Sequence, residues 1–208
     1  MSQLWTRYNE SLLGIRTEPE PADAIRDPVE PWKGEFSAKA KNPDNFRYST
    51  VGYHHVRKIL RELSLGPDDV FCDVGCGMGR VLCLAARYPV RKCVGVELTD
   101  RLCTIARRNA TSLRGRRAPV EIIGGDAPRA DLSEGTVYFL FNPFGPETLQ
   151  DTLENIRVSL GANPRSIRIV YYHAKYRAAV DNLPWLAPLQ EFRSFGGHPV
   201  VIWGNRAA

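Results

Sequence analysis

Between Val70 and Arg80 the chain reads Val-Phe-Cys-Asp-Val-Gly-Cys-Gly-Met-Gly-Arg, an apolar run that ends in Asp73 and continues with glycine at 75, 77 and 79. Glycine at every second position lets a backbone turn tightly and approach a ligand with no Cβ in between, and a helix starting near Arg80 offers unpaired N–H groups. The spacing G-x-G-x-G differs from the G-x-G-x-x-G of dinucleotide folds, and a carboxylate at the strand end would repel a pyrophosphate. It suits a ligand that carries an ammonium group near the loop. Three more polar groups follow apolar runs in the same manner: Glu97 after Val94-Gly-Val, Asp126 after Val120–Gly124, and Asn142-Pro143-Phe144-Gly145 after Thr136–Phe141. Singly, each has an ordinary reading: Asp73 as a turn cap, Glu97 as the partner of Arg101, Asp126 as a turn residue ahead of Pro128. Four such groups at four successive strand ends mark one binding site.

The elements that must position them alternate. Strand patterns at 70–74, 92–97, 120–124, 136–141 and 167–172 are separated by helical patterns at 80–87, 100–113 and 146–160. Such βαβ units imply a parallel sheet with right-handed crossovers, and ligands then bind outside the carboxyl ends of the strands. Two further runs, Leu189–Phe195 and Pro199–Trp203, meet at Gly196-Gly197 and read as a hairpin. The expected fold is therefore α/β, Rossmann-like and doubly wound, with a mainly parallel seven-stranded sheet and an antiparallel terminal strand. Ahead of it, Tyr53, Val56, Ile59, Leu60 and Leu63 recur at helical spacing behind the N-cap candidates Ser49 and Thr50, and Gly66-Pro67 ends that helix. Residues 1–45 hold Pro19, Pro21, Pro28, Pro31 and Pro43, so they read as an arm with one short amphipathic start at Leu4, Trp5, Tyr8, Leu12 and Leu13. Trp5, Trp32 and Phe36 would anchor the arm as a partial lid over the strand ends; a disordered leader is the alternative reading. Residues 46–208 form the single domain.

Composition narrows the class. With 208 residues, 43% hydrophobic and 25% charged, the chain suits one globular core. Its longest apolar run, Val81–Ala86, has six residues, against about 20 for a membrane helix. No basic segment followed by an apolar block opens the chain, so no secretory signal is expected and the cytoplasm is the expected compartment. Cys72, Cys76, Cys83, Cys93 and Cys103 form no C-x-x-C pair and have no histidine nearby, which points to buried reduced thiols and no metal. The net charge is +5, and seven arginines fall between Arg101 and Ala130 against Glu121 and Asp126. No aromatic interleaves them, so a solvated basic face is expected ahead of a nucleic-acid surface.

The Asp73–Gly79 run resembles the nucleotide-binding loop of class I S-adenosylmethionine-dependent methyltransferases, and the resemblance extends over about residues 45–172. It implies an enzyme that transfers a methyl group from S-adenosylmethionine to a nitrogen or oxygen nucleophile and releases S-adenosylhomocysteine. It further implies that Asp73, Gly75, Cys76, Gly77 and Gly79 cradle the cofactor, that Glu97 beside Leu98 takes the ribose hydroxyls, and that Asp126 and Ala127 meet the adenine. Asn142 and Pro143 would lie beside the transferable methyl. Amino-group methyltransferases carry Asn-Pro-Pro-Tyr/Phe at that place; here one proline follows Asn142 and Phe144 comes a residue early. The stretches Asp69–Ala86, Gly95–Glu97 and Phe141–Phe144 are also similar to lysine methyltransferases of the DOT1-like type. Asn142 and His173 are the catalytic candidates, and Tyr48, Tyr53, His54, Phe144 and Tyr172 the acceptor-binding ones. A small-molecule acceptor is expected first, a protein lysine second and nucleic acid third, with a non-catalytic cofactor-binding module as the reading outside the enzymes.

Overall fold

The computed structural model describes residues 3–18, 44 and 49–206. Trp32, Phe36 and Tyr48, named above as lid anchors and acceptor contact, lie outside the described residues. In chain order come helix α1 (Gln3–Leu13), helix α2 (Tyr53–Glu62), strand β1 (Val70–Val74), helix α3 (Arg80–Ala85), strand β2 (Lys92–Glu97), helix α4 (Asp100–Ser112) and strand β3 (Val120–Gly124). Strand β4 (Val137–Leu140), helix α5 (Pro146–Ala162), strand β5 (Arg168–Tyr172), helix α6 (Arg177–Asp181), strand β6 (Leu186–Arg193) and strand β7 (Pro199–Asn205) complete it. The seven strands form one sheet in the order β3-β2-β1-β4-β5-β7-β6. Strands β1 to β5 pair in parallel, and β7 runs antiparallel to both of its neighbours, as the hairpin reading requires. The order reverses at β1/β4, the switch point where a doubly wound sheet opens its ligand crevice. Among the described residues no helix is long and apolar enough to cross a membrane.

Alternation along the strands decides what faces the crevice. Side chains of successive strand residues point to opposite faces. Phe71, Val137, Phe139, Val170 and Tyr172 join the layer built with α2, α3 and α4, whereas Val70, Cys72, Val74, Tyr138, Leu140 and Tyr171 pack beneath α5 and α6. Register places Asp73 opposite Gly95 on one side and Phe139 on the other, so the two-residue period sends the acid to the α2 face. Helix α2 buries Tyr53, Val56, Ile59 and Leu60, a stripe at the spacing that fits a helix laid on a sheet. It starts at Tyr53 with Gly52 as its N-cap, so Ser49 and Thr50 do not cap it; they line the crevice instead. Strand β6 begins three residues before the apolar run that announced it, and α6 carries no long apolar period to announce it at all.

All five cysteines are buried and unpaired, and they flank β1, α3, β2 and the start of α4. Burial pushes the Cys72 and Cys83 thiols up to about 12 and raises Cys76, Cys93 and Cys103 as well. They are packing groups, not nucleophiles.

Candidate active site

Side chains at the carboxyl ends of β1, β2, β3 and β4 converge on one cleft. Asp73, Gly75, Cys76, Glu97, Leu98, Asp126, Ala127, Asn142, Pro143 and Phe144 all line it, which covers most of the residues singled out above. Gly77 and Gly79 serve it from behind: the Gly77 N–H donates to Glu97 Oε2 at 3.0 Å, and Gly79 packs on Ala106 at the start of α3. Tyr53, His54, Tyr172 and His173 are not part of the lining. Tyr53 is fully buried under α2, where its hydroxyl lies 3.3 Å from Thr17 Oγ1. The His54 ring lies against Trp5, His55 and Phe195.

Glu97 is nearly enclosed and already ordered. Its Oε1 accepts from the Thr99 N–H at 2.9 Å while Oε2 takes Gly77, so one carboxylate ties the turn after β2 to the glycine loop after β1. Burial raises its pKa, opposed by hydrogen bonds from the Thr99 and Gly77 N–H groups, the Thr99 hydroxyl and the Leu98 N–H.

Asp73 is stranger. It is buried, and its Oδ2 has no hydrogen-bond partner. Burial pushes its carboxyl up to about 7, the Leu82 N–H pulls the other way and the Glu97 charge adds to the rise. A carboxyl whose pKa is higher in the native than in the unfolded chain binds more protons when folded, so its contribution is full below about pH 4 and is lost as pH rises through about 7. The loss is roughly 4 kcal/mol for a shift of this size. Urea unfolding at pH 4.5 and at pH 8 should therefore show Asp73→Asn gaining on the wild type at the higher pH; an equal difference at both would mean that Asp73 is ionised throughout.

The loop after β4 is rigidly built. Asn142 takes a left-handed backbone with φ 43°, a conformation asparagine adopts more readily than most residues. Its Nδ2 donates to His173 O at 2.9 Å, and its Oδ1 accepts from the Tyr171 hydroxyl at 2.7 Å and the Lys175 N–H at 3.2 Å. The amide thus faces β5 and is spent on structure. His173, itself at φ 54°, contributes to the site through its main chain, while its ring turns to His198 at a centroid distance of 5.0 Å. On the other flank Asp44 accepts from the Gly145 and Thr148 N–H groups at the start of α5.

Beyond Phe141, which lines the cleft, an aromatic wall continues. Tyr172 lies 5.1 Å from Phe141, and His55 and His198 lie 5.7 and 6.0 Å from Tyr172. Burial, aided by repulsion from His54 and His198, pushes His55 down to about 4, so it is neutral near pH 7. All four histidines of the chain meet in this wall, brought from α2, the end of β5 and the β6–β7 turn; nothing in their sequence spacing announces it.

Arg80 is a further residue that motif reading passed over. It lines the cleft, is buried, and reaches Glu18, Glu10, Thr17 Oγ1 and Val51 O. A cation at the first turn of a helix opposes the helix dipole, and that misfit is the signal that acidic partners must come from elsewhere.

The family model for "Histone methylation protein DOT1" matches residues 37–136. The chain is 36% identical over 87 residues to a protein-lysine N-methyltransferase of Saccharolobus islandicus, covering 41% of this chain and 53% of that protein. It is 30% identical over 178 residues to the H3 lysine-79-specific histone-lysine N-methyltransferase of Drosophila melanogaster, covering 75% of this chain and 10% of that protein. The chain thus spans about half of the first of these relatives and a small part of the second. An RNA methyltransferase from Salinibacter ruber, solved with S-adenosyl-L-homocysteine, superposes with a TM-score of 0.58 at 25% identity, over 77% of this chain and 95% of that one. Strand order, the acid-ended strands around one cleft and these similarities agree. The chain belongs to the class I S-adenosylmethionine-dependent methyltransferases.

Proposed function

We propose that this chain is a protein lysine N-methyltransferase. The observation that carries the reading is the aromatic wall of Phe141, Tyr172, His55 and His198 beside the cleft. A lysine stem is apolar and packs on aromatic faces, and its amine must be neutral to react; low-polarity rings around it favour loss of the ammonium proton. A nucleobase or amide acceptor would need a free amide to read its N–H groups, and the Asn142 amide is committed to Tyr171, Lys175 and His173. Similarity to the DOT1 family model and to lysine methyltransferases supports the same ordering. It departs from the small-molecule acceptor expected first from the sequence.

The cleft fits the cofactor. The orphaned Asp73 Oδ2 would take its ammonium group, Glu97 its ribose hydroxyls, and Asp126 beside Ala127 its adenine; the bare backbone of Gly75 keeps the space open. When bound, S-adenosylmethionine supplies an electrophilic methyl group on a sulfonium. The chain's own residues position the acceptor and keep water out: Pro143 and Phe144 form the floor and Phe141 the side, with Tyr172 continuing the wall beyond it. His173 stands next to His198, outside the lining, where it would pass the released proton to solvent.

Two expectations follow from these roles. Glu97→Ala should weaken S-adenosylhomocysteine binding in calorimetry by about 10- to 150-fold, the loss of charge-assisted bonds worth about 1.5–3 kcal/mol; an unchanged affinity would remove Glu97 from the cofactor site. Tyr172→Ala should lower kcat/KM for the acceptor by about 30-fold, one buried aromatic contact, with cofactor affinity intact. The acceptor itself is settled by incubating the protein with methyl-labelled cofactor and separate pools of proteins, RNA and metabolites. Label recovered as N-methyl-lysine supports the reading, and label confined to RNA or to small molecules overturns it.

A further inference from the structure

On the outer side of α2, away from the cofactor cleft, a groove of about 500 Å³ opens between α2, the end of α3 and the loop after α4. Arg57, Arg61, Arg87 and Arg117 line it together with Tyr88, and no carboxylate does. It shares no lining residue with the cleft. Among the described residues none of these four guanidinium groups has an acidic partner, although Arg80, Arg157, Arg168 and Arg177 all do.

The groove is held by backbone. The N–H groups of Arg117 and Ala118 both donate to Ala86 O, at 2.8 and 3.1 Å, which clips the loop to the end of α3. Arg87 lies flat along Gly115, where a Cβ would stand 3.3 Å from its Nε and Nη2; Gly115 has φ 70°, so both space and conformation keep that place for glycine. Arg57 is fixed over the rings of Trp5 and Tyr53, at 5.9 and 5.8 Å. Its pKa is lowered by burial and by the charge of Arg87, the mark of cations crowded without a counter-ion. Elsewhere in the basic stretch, Arg107, Arg114 and Arg116 spend donors on the carbonyls of Ile122, Ser11 and Ala110.

We infer that this groove is a binding site for a compact, multiply charged phosphate group, the polyphosphate end of a nucleotide or a free polyphosphate. Arginine forks match phosphate oxygens bidentately, and four of them converging on one hollow suit one dense anion. A nucleic-acid strand would need cations tracking along a line with several aromatic platforms, and here Tyr88 is the one ring in the lining. The volume falls within the range of small-ligand sites.

The test titrates the full chain, saturated with S-adenosylhomocysteine so that the cleft is filled, with inorganic tripolyphosphate, ATP and single-stranded oligonucleotides of increasing length. One-to-one binding of tripolyphosphate or ATP that weakens with salt is expected, with a loss of about tenfold or more in the Arg87→Ala/Arg117→Ala variant. ATP binding more tightly than tripolyphosphate would assign the site to nucleotides, and equal affinities to the polyphosphate alone. Unchanged S-adenosylhomocysteine affinity in the variant shows that it is folded. No saturable binding, binding indifferent to the two substitutions, or oligonucleotide affinity that grows with length and exceeds both compact ligands would each overturn the inference.

Discussion

Replacing Arg80 with methionine should lower the free energy of unfolding by about 3–5 kcal/mol, the cost of leaving a buried charge without its partner. The Arg80 side chain is 3% exposed, and its Nη2 lies 2.6 Å from Glu18 and 3.6 Å from Glu10, whose own side chain is 10% exposed. Thr17 stands between the charges: its hydroxyl accepts from Arg80 Nε at 2.7 Å and donates to Glu10 Oε1 at 2.7 Å. The face of the guanidinium rests on Tyr53, 4.5 Å from the ring centroid. Removing the cation strands the Glu10 carboxylate against Thr17 and unlocks the segment after α1 from the floor of the cleft. Urea denaturation measures the loss, and Glu10→Gln combined with Arg80→Met should recover most of it, since a neutral pair needs no counter-charge. A single variant within about 1 kcal/mol of wild type would show that solvent reaches the cluster and screens it.

Gly75→Ala should be nearly as damaging, and its effect should concentrate on the cofactor. Gly75 has φ 76°, and a Cβ on it would stand 2.4 Å from Pro143 Cβ, far inside contact distance. The left-handed backbone costs an alanine about 1–2 kcal/mol, and overpacking a filled site adds about 1–3 kcal/mol. Pro143 has little room to retreat, because Asn142 before it is tied by three hydrogen bonds to β5 and the residues that follow it. The glycine loop must shift instead, and it carries Gly77, the donor to Glu97. Affinity for S-adenosylhomocysteine should fall by about 30-fold or more, the equivalent of 2 kcal/mol. Wild-type affinity with a wild-type melting temperature would mean that the two loops are not in contact in solution.

What could be read from the residues was whatever short-range pattern encodes. Strands β1, β2 and β3 declare themselves through runs of β-branched and apolar residues closed by glycine or an acid, and the structure places them at Val70–Val74, Lys92–Glu97 and Val120–Gly124 as the pattern requires. The acids at their ends could be found because a polar group at the carboxyl end of a buried parallel strand has few reasons to be there except a ligand. Contacts over long sequence separations were not legible. Arg80 meets Glu18 across 62 residues, and Asn142 spends its amide on residues about 30 positions away. Helix α2 begins later than Ser49 and Thr50 suggested because a cap is decided by backbone conformation, and Gly52 holds the extended geometry that starts the helix. Apart from Tyr172, the aromatic wall escaped for the same reason as Arg80: rings from α2, β5 and the β6–β7 turn become neighbours only when the sheet is assembled.

The five sealed thiols give this protein a built-in clock. None is reactive while the sheet is closed, since each is buried and held above its ordinary pKa, and all of them sit around the β1-to-α4 half that forms the cofactor cleft. Alkylation can proceed only through molecules that have opened that half, so the labelling rate counts openings. Whatever occupies the cleft must slow the count by the fraction of time that it is bound, whether or not any methyl group is ever transferred. Occupancy can be timed in this chain without knowing what it methylates.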